Sequence, residues 1–267
     1  MSLRDIKIHD TYWSGEDNII EEFYIPCLSE SIEYKRAVGY FSSSILKYIS
    51  DGLYTFIKNK GKMKIICSPN LSRDDKEKIK EGYKIKNIIK NNLENEIEKL
   101  IKDKDLPNVK NLCWLIKNNR LDIKLCIKTN ILKGETNNEG LLFHEKFGIF
   151  KDKEKNIISF MGSINESLRG WMFNEESFEV SYNWEPALRN RVNNKINRFE
   201  NLWFNNAKNV RTYDFPEAYK EKLIKYSPQE PIDEVLIKKD YGKSYSNYKK
   251  RDDSFNFIAR ECQKNAF

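Results

Sequence analysis

Two neighbouring stretches decide how this chain folds and where its chemistry sits: Leu141–Phe150, LLFHEKFGIF, and Asn156–Asn165, NIISFMGSIN. Each is an apolar run of strand length. Period-two alternation in the first puts His144 and Lys146 side by side on one face, with Phe143, Phe147 and Ile149 on the other. Gly148 follows on the His/Lys face and is expected to leave room for a ligand. A lysine beside a histidine on a strand entering an apolar sheet needs a reason, because lysine is rarely buried without a partner. The second run ends on Gly162-Ser163-Ile164-Asn165, with Ser163 and Asn165 sharing a face just before a helix expected to begin near Glu166. A hydroxyl, an amide and helix-start N–H groups at one point make an oxyanion or phosphate site. Further on, Asn174-Glu175-Glu176 precedes the strand SFEVSY and supplies a carboxylate able to orient an imidazole.

Working outward, strands are expected at Arg36–Phe41 (RAVGYF), Lys62–Cys67 (KMKIIC), Leu121–Lys128 (LDIKLCIK) and Ser177–Tyr182. Between the first two, a serine cluster caps a helix carrying Ile45, Leu46, Ile49 and Leu53. Ser72–Asp75 resembles a capping box, and 76–119 reads as two or more helices broken near Pro107. A polar loop, Thr129–Gly140, separates the fourth strand from LLFHEKFGIF. Pro186 opens a strong helix with Leu188, Val192, Ile196, Phe199 and Trp203 on one stripe. This alternation predicts an α/β layered domain over 35–206, after an N-terminal segment 1–34. Residues 207–267 read as a helical or linker tail, with a short helix in Phe215–Tyr226, able to lead into a further domain. In Tyr241–Arg251 tyrosines interleave with basic residues, a pattern seen at nucleic-acid contacts and more commonly in linkers.

The chain has 267 residues, 39% hydrophobic and 33% charged, which predicts a folded domain rather than disorder. A net charge of +7, from 47 basic and 40 acidic residues, favours a polyanionic partner. Charge alone does not separate that from the solvated faces of a Lys- and Asn-rich protein. The five cysteines, Cys27, Cys67, Cys113, Cys126 and Cys262, contain no C-x-x-C pair, so neither a zinc site nor a disulfide framework is expected, and a cytoplasmic setting is. No apolar run is long enough to span a bilayer, and no membrane association is expected. Only two histidines are present, His9 and His144.

His144-x-Lys146 followed by Gly162-Ser163-x-Asn165 resembles the HKD motif of the phospholipase D superfamily. Glu176 lies where bacterial nucleases of that superfamily carry an acidic residue bonded to the catalytic histidine, with Glu175 the poorer match. The blocks RAVGYFSSSILKYISDGL, KMKIICSPN and HEKFGIF…GSINES…NEESFEV are similar to the phospholipase D-like domain found at the N-terminus of bacterial DEAD/DEAH-box helicases and restriction proteins. The resemblance implies a phospholipase D-like α/β/α sandwich on a mixed β-sheet with a single HKD motif. One departure is visible: Lys151 stands where the motif has its aspartate, with Asp152 next.

What the resemblance implies is a metal-independent phosphodiesterase without a cofactor, working through a phosphohistidine. His144 is the nucleophile, Glu176 holds its tautomer, Lys146 and Asn165 bind the non-bridging oxygens, and Ser163 positions phosphate or lysine. That chemistry needs two histidines, and IHDTYW places Thr11 where a second motif around His9 would need lysine, so two copies would pair as a homodimer. A lone strand histidine is ordinarily a core residue; Lys146, Ser163, Asn165 and Glu176 in register weigh against that. The expected substrate is nucleic acid, DNA first, with Tyr40 near the mouth as a base-stacking contact and Phe41 in the core. The expected setting is a restriction, defence or helicase-associated system, with a helicase domain or subunit as partner. Two other readings remain open at this point: an inactive DNA-binding or dimerisation module, and a lipid phosphodiesterase.

Overall fold

The computed structural model describes residues 1–69, 85–104, 107–128 and 143–229. Its frame is one eight-stranded mixed sheet. The strands in chain order are β1 (Thr11–Trp13), β2 (Glu33–Val38), β3 (Lys62–Cys67), β4 (Leu121–Lys128), β5 (Phe147–Lys151), β6 (Ile157–Gly162), β7 (Ser177–Tyr182) and β8 (Val210–Asp214). They lie side by side as β1-β7-β6-β5-β2-β3-β4-β8. Only the β2–β3 and β3–β4 pairs are parallel. Parallel neighbours need crossover connections, and helices supply them. Between β2 and β3 run α2 (Ile45–Tyr48) and α3 (Ser50–Lys58); between β3 and β4 run α4 (Ile85–Lys102) and α5 (Pro107–Lys117).

The strands alternate because both faces of the sheet are covered. On β2, Tyr34 and Val38 enter the larger core and Ala37 the smaller one. The larger core is aromatic, with Phe23, Tyr34, Phe150, Phe160, Trp171 and Phe178 all buried. It is closed by α1 (Ile25–Glu30), which continues a π-helical turn at Ile20–Tyr24, together with α2, α3 and α5. On the other face lies the helix expected after Pro186, here α7 (Arg189–Trp203), with Val192 and Phe199 fully buried. It closes the second core over Phe147 and Ile149. The result is three layers, helix–sheet–helix, as the α/β/α reading expects.

Several boundaries differ from the sequence reading. The run LLFHEKFGIF enters the sheet only at Phe147, and Leu141 and Leu142 lie outside the described residues. The strand in RAVGYF stops at Val38, and the helix carrying Ile45 to Leu53 is broken at Ile49. Strands from outside 35–206 join the sheet. β1, from the N-terminal segment, pairs antiparallel with β7, and β8 pairs antiparallel with β4. Both are short strands with little alternation, so periodicity does not reveal them. After β8 comes the helix expected in Phe215–Tyr226, now α8 (Glu217–Ile224). The capping box at Ser72–Asp75, the loop Thr129–Gly140 and the Tyr241–Arg251 segment lie outside the described residues.

Gly148 also has a different purpose from the one expected. A Cβ built there would stand 2.2 Å from Phe160 Cε1 and 2.3 Å from Phe160 Cζ, so the space is filled by a ring and not by a ligand. Gly148→Ala is therefore expected to destabilise the fold by about 1–3 kcal/mol through overpacking. Urea unfolding should show a lowered midpoint with an unchanged slope.

Candidate active site

His144, Lys146 and Asn165 gather on the rim where β2 and β6 end and β5 begins. β2 and β5 pair from Glu33–Lys151 to Ala37–Phe147, and β5 and β6 from Lys151–Ile157 to Phe147–Met161. The start of β5, the end of β2 and the end of β6 therefore share one rim. His144 and Lys146 lie on the approach to β5, where the Gly162 amide still donates to the Lys146 carbonyl at 3.1 Å. The imidazole is exposed, while the lysine side chain is buried at 6% exposure. Lys146 Nζ is 3.0 Å from both His144 ring nitrogens and donates to the His144 carbonyl at 3.1 Å. Equal distances place the ammonium against the face of the ring, not in line with one nitrogen's lone pair.

Asn165 reaches the same point from β6. Its Oδ1 accepts from the Tyr40 amide at 3.0 Å, which assigns the side-chain oxygen and turns the NH2 into the donor end. Between the two stands Gly39, a residue the sequence reading passed over. A Cβ on Gly39 would sit 3.0 Å from His144 Cδ2 and 3.4 Å from Asn165 Oδ1. The missing side chain is what lets imidazole and carboxamide approach. A glycine at the end of an otherwise regular strand, followed by an exposed aromatic, was the available signal. Tyr40 itself is 45% exposed at this mouth, and Phe41 packs against the larger core.

The turn carrying Asn165 is held from beneath by a buried ion pair. Glu166 and Arg36 are each 1% exposed, and Arg36 Nε donates to Glu166 Oε2 at 2.9 Å. Arg36 also donates to the Ile164 carbonyl at 2.5 Å, and its guanidinium lies 4.7 Å from the Phe160 ring centre. Tyr24 and Tyr34 donate their hydroxyls to the same carboxylate. Burial, reinforced by the Glu166 charge, pushes both phenols well above their ordinary range, so they remain donors. The Glu166 backbone is pinned too, donating to the Tyr40 carbonyl and accepting from the Ser42 amide.

Other expected site residues are placed differently. Ser163 Oγ accepts from the Ser177 amide at 3.1 Å and lies 3.4 Å from the Ser177 carbonyl, prolonging the β6–β7 ladder. The amides expected to greet an anion have protein acceptors instead. Those of Ser163, Ser167, Leu168 and Gly170 donate to Ser177 O, Asn165 O, Ser44 Oγ and Ser167 Oγ, and the short helix α6 (Leu168–Met172) begins there. Glu176 accepts from Asn174 Nδ2 at 3.1 Å, and no hydrogen bond among the described residues joins it to His144. Glu175 lies elsewhere, its carboxylate near Gly15.

Asp152, the neighbour of the departing Lys151, is buried away from the rim. It accepts from the Leu3 amide at 3.0 Å and from Asn156, fastening the N-terminus to the turn after β5. His9 stacks on Tyr12 at 5.1 Å, far from this constellation in role. Among the described residues the thiols offer no rival nucleophile: burial pushes Cys27 well up, Cys67 and Cys126 up to about 12 and Cys113 to about 11. Among the described residues, no group of three or more His, Cys, Asp or Glu side chains is placed to hold a metal ion, and no helix is long and apolar enough to cross a membrane.

No family model matches the chain, and no curated protein matches it in sequence. Solved structures similar to it include NucT from Helicobacter pylori, at 15% identity and TM-score 0.43, over 76% of this chain and 97% of that one. Another is Nuc from Salmonella typhimurium, a phospholipase D family member, at 13% identity and TM-score 0.39, over 77% and 97%. A phosphatidylserine synthase from Haemophilus influenzae Rd KW20 aligns at 12% identity and TM-score 0.43, over 90% of this chain and 45% of its own.

The Arg36–Glu166 pair gives a direct structural test. Arg36→Met leaves a buried carboxylate without its cation and should cost about 3–5 kcal/mol. The double substitution Arg36→Met, Glu166→Leu should recover much of that loss in urea unfolding. A double variant as unstable as the single one would contradict the ion-pair account.

Proposed function

We propose that the chain is a metal-independent phosphodiesterase acting on nucleic acid, with DNA as the first choice, through a phosphohistidine formed on His144. The observation that carries this reading is the approach of His144 and Asn165 to each other across Gly39, with Lys146 against the imidazole. An exposed imidazole is available as nucleophile, and an ammonium and a carboxamide donor stand where non-bridging phosphate oxygens would lie. The excess of 47 basic over 40 acidic residues supports a polyanionic substrate.

In the first step a ring nitrogen of His144 attacks phosphorus, the N–P bond forms and the P–O bond to the leaving oxygen breaks. That oxygen takes a proton from a second imidazole. In the second step the same imidazole, now neutral, accepts a proton from water as the water oxygen attacks phosphorus and the P–N bond breaks. Lys146 and Asn165 hold the charge that builds on the phosphoryl oxygens in both steps. One chain supplies a single His144 to this rim, so the acid is assigned to His144 of a second copy in a homodimer. Glu176 is assigned as the orienting carboxylate, exchanging its bond to Asn174 for one to the ring. Ser163 positions the turn through β7. A restriction or helicase-associated setting for this activity rests on the resemblance of RAVGYFSSSILKYISDGL and HEKFGIF alone.

The test is cleavage of labelled DNA in excess EDTA. The chain should cut, His144→Ala should reduce cutting to background, and Asn165→Ala should slow it by about 10²–10³-fold. Cutting that needs a divalent cation, or that survives His144→Ala, would overturn the assignment. Release of a headgroup from phosphatidylcholine vesicles without DNA cleavage would redirect it to lipids.

A further inference from the structure

The sheet rim carries a second feature on the face opposite His144. In the register of β5, β6, β7 and β1, Met161 lies between Phe147 and Glu179, and Glu179 faces Thr11. One alternation further toward the rim, Trp13 faces Ser177. Met161 is 50% exposed and Trp13 53%, large apolar groups left open on the α7 side of the sheet. Three strand spacings separate β1 from β5, which puts Trp13 roughly 14 Å from the strand that leads out of His144 and Lys146.

Over this open surface α7 hangs a row of cations. Arg191, Lys195 and Arg198 recur at helical spacing, and all three line a cavity of about 290 Å³ floored by Phe147 and Met161. Arg191 contacts Glu179 at 3.7 Å with both side chains well exposed, and Arg198 is paired with Glu145, the residue between His144 and Lys146. Lys195 stands between the two guanidinium groups. Burial first, and then the Arg191 charge, lower its pKa, with the Glu179 charge opposing them. The trough thus joins three cations and Glu145 to an apolar floor of Phe147 and Met161, and Trp13 lies exposed on the same face of the sheet, two strands beyond Met161.

We propose that this trough binds the strand flanking the scissile phosphate of a single-stranded nucleic acid, its phosphate at Lys195 and Arg191 and an unpaired base stacked on Trp13. The chemistry selects that ligand. A phosphodiester satisfies the cations, but only an unstacked base offers a free face to an indole. In a duplex the base faces are already stacked, and Trp13 would gain nothing. The proposal deepens the nuclease reading and rests on it for the direction of the strand.

The experiment measures binding in the His144→Ala background, with fluorescein-labelled single-stranded DNA, single-stranded RNA and blunt duplex DNA. Trp13→Leu should weaken single-strand binding about 5- to 100-fold, while duplex affinity stays within about twofold. Oligonucleotide quenching of indole emission should shrink in that variant. Lys195→Gln should lower the slope of log affinity against log salt by about 0.7 for single strands. Thermal midpoints should stay near that of the His144→Ala parent, because both replaced side chains are at least partly open to solvent. The DNA and RNA arms identify which strand is preferred. An effect below twofold on single strands, or an equal loss for duplex, overturns the trough. If the EDTA assay finds cleavage and Trp13→Leu has no effect, the trough alone falls. If binding behaves as stated and nothing is cleaved, the catalytic reading falls and the trough stands.

Discussion

A single buried ion pair, Arg36 with Glu166, ties the parts of this protein that matter most. Arg36 belongs to β2 and Glu166 to the turn after β6, strands separated in the sheet by β5. Burying two charges is expensive, and the cost is met only when the remaining donors and acceptors are satisfied. Here Tyr24, Tyr34 and the Ile164 carbonyl complete the set, and the Phe160 ring covers the guanidinium. A network with this many fixed partners has one arrangement. It dictates where Ile164 ends and therefore where Asn165 begins.

The rim above inherits that order. Asn165 can meet the Tyr40 amide because the residue beside it is anchored, and it can approach His144 because Gly39 has no side chain. Lys146 arrives on a different strand, with its stem buried and its ammonium against the imidazole. Three strand ends thus each bring one part, and under the proposed function Lys146 and Asn165 are donors already in place. That is the condition under which donors stabilise a developing charge without paying for reorganisation. The opposite face of the rim, with α7 cations above Met161 and Trp13 two strands further on, shares the same strand ends and so is held in register with the site.

Much of this was legible in the sequence, and the part that was not has physical causes. KMKIIC, LDIKLCIK and SFEVSY read as strands at the boundaries they occupy, because both sheet faces are buried and each strand alternates between two cores. His144, Lys146 and Asn165 stand out in the sequence because their side chains are polar in apolar runs. Glu166 was passed over because an acidic residue at a helix start looks like an ordinary first-turn charge. Only the packing of Arg36 beneath the turn shows it to be buried. Gly148 was misread for a related reason: sequence shows that a side chain is missing, not which neighbour fills the space. β1 and β8 escaped because three- and five-residue edge strands take their stability from their partners, not from their own pattern. Ser163 and Glu176 lie in the right order along the chain, yet their hydrogen bonds in the structure run to Ser177 and Asn174.

The central claim is that His144 becomes covalently bound to phosphorus during turnover. The most direct measurement is to mix the chain with DNA carrying a labelled phosphodiester, quench within milliseconds under alkaline denaturing conditions, and map the label by mass spectrometry. The account predicts a phosphoramidate adduct on His144 that is lost on acid treatment and is absent in His144→Ala. Cleavage that proceeds with no adduct at any time point, or with label on another residue, would contradict it.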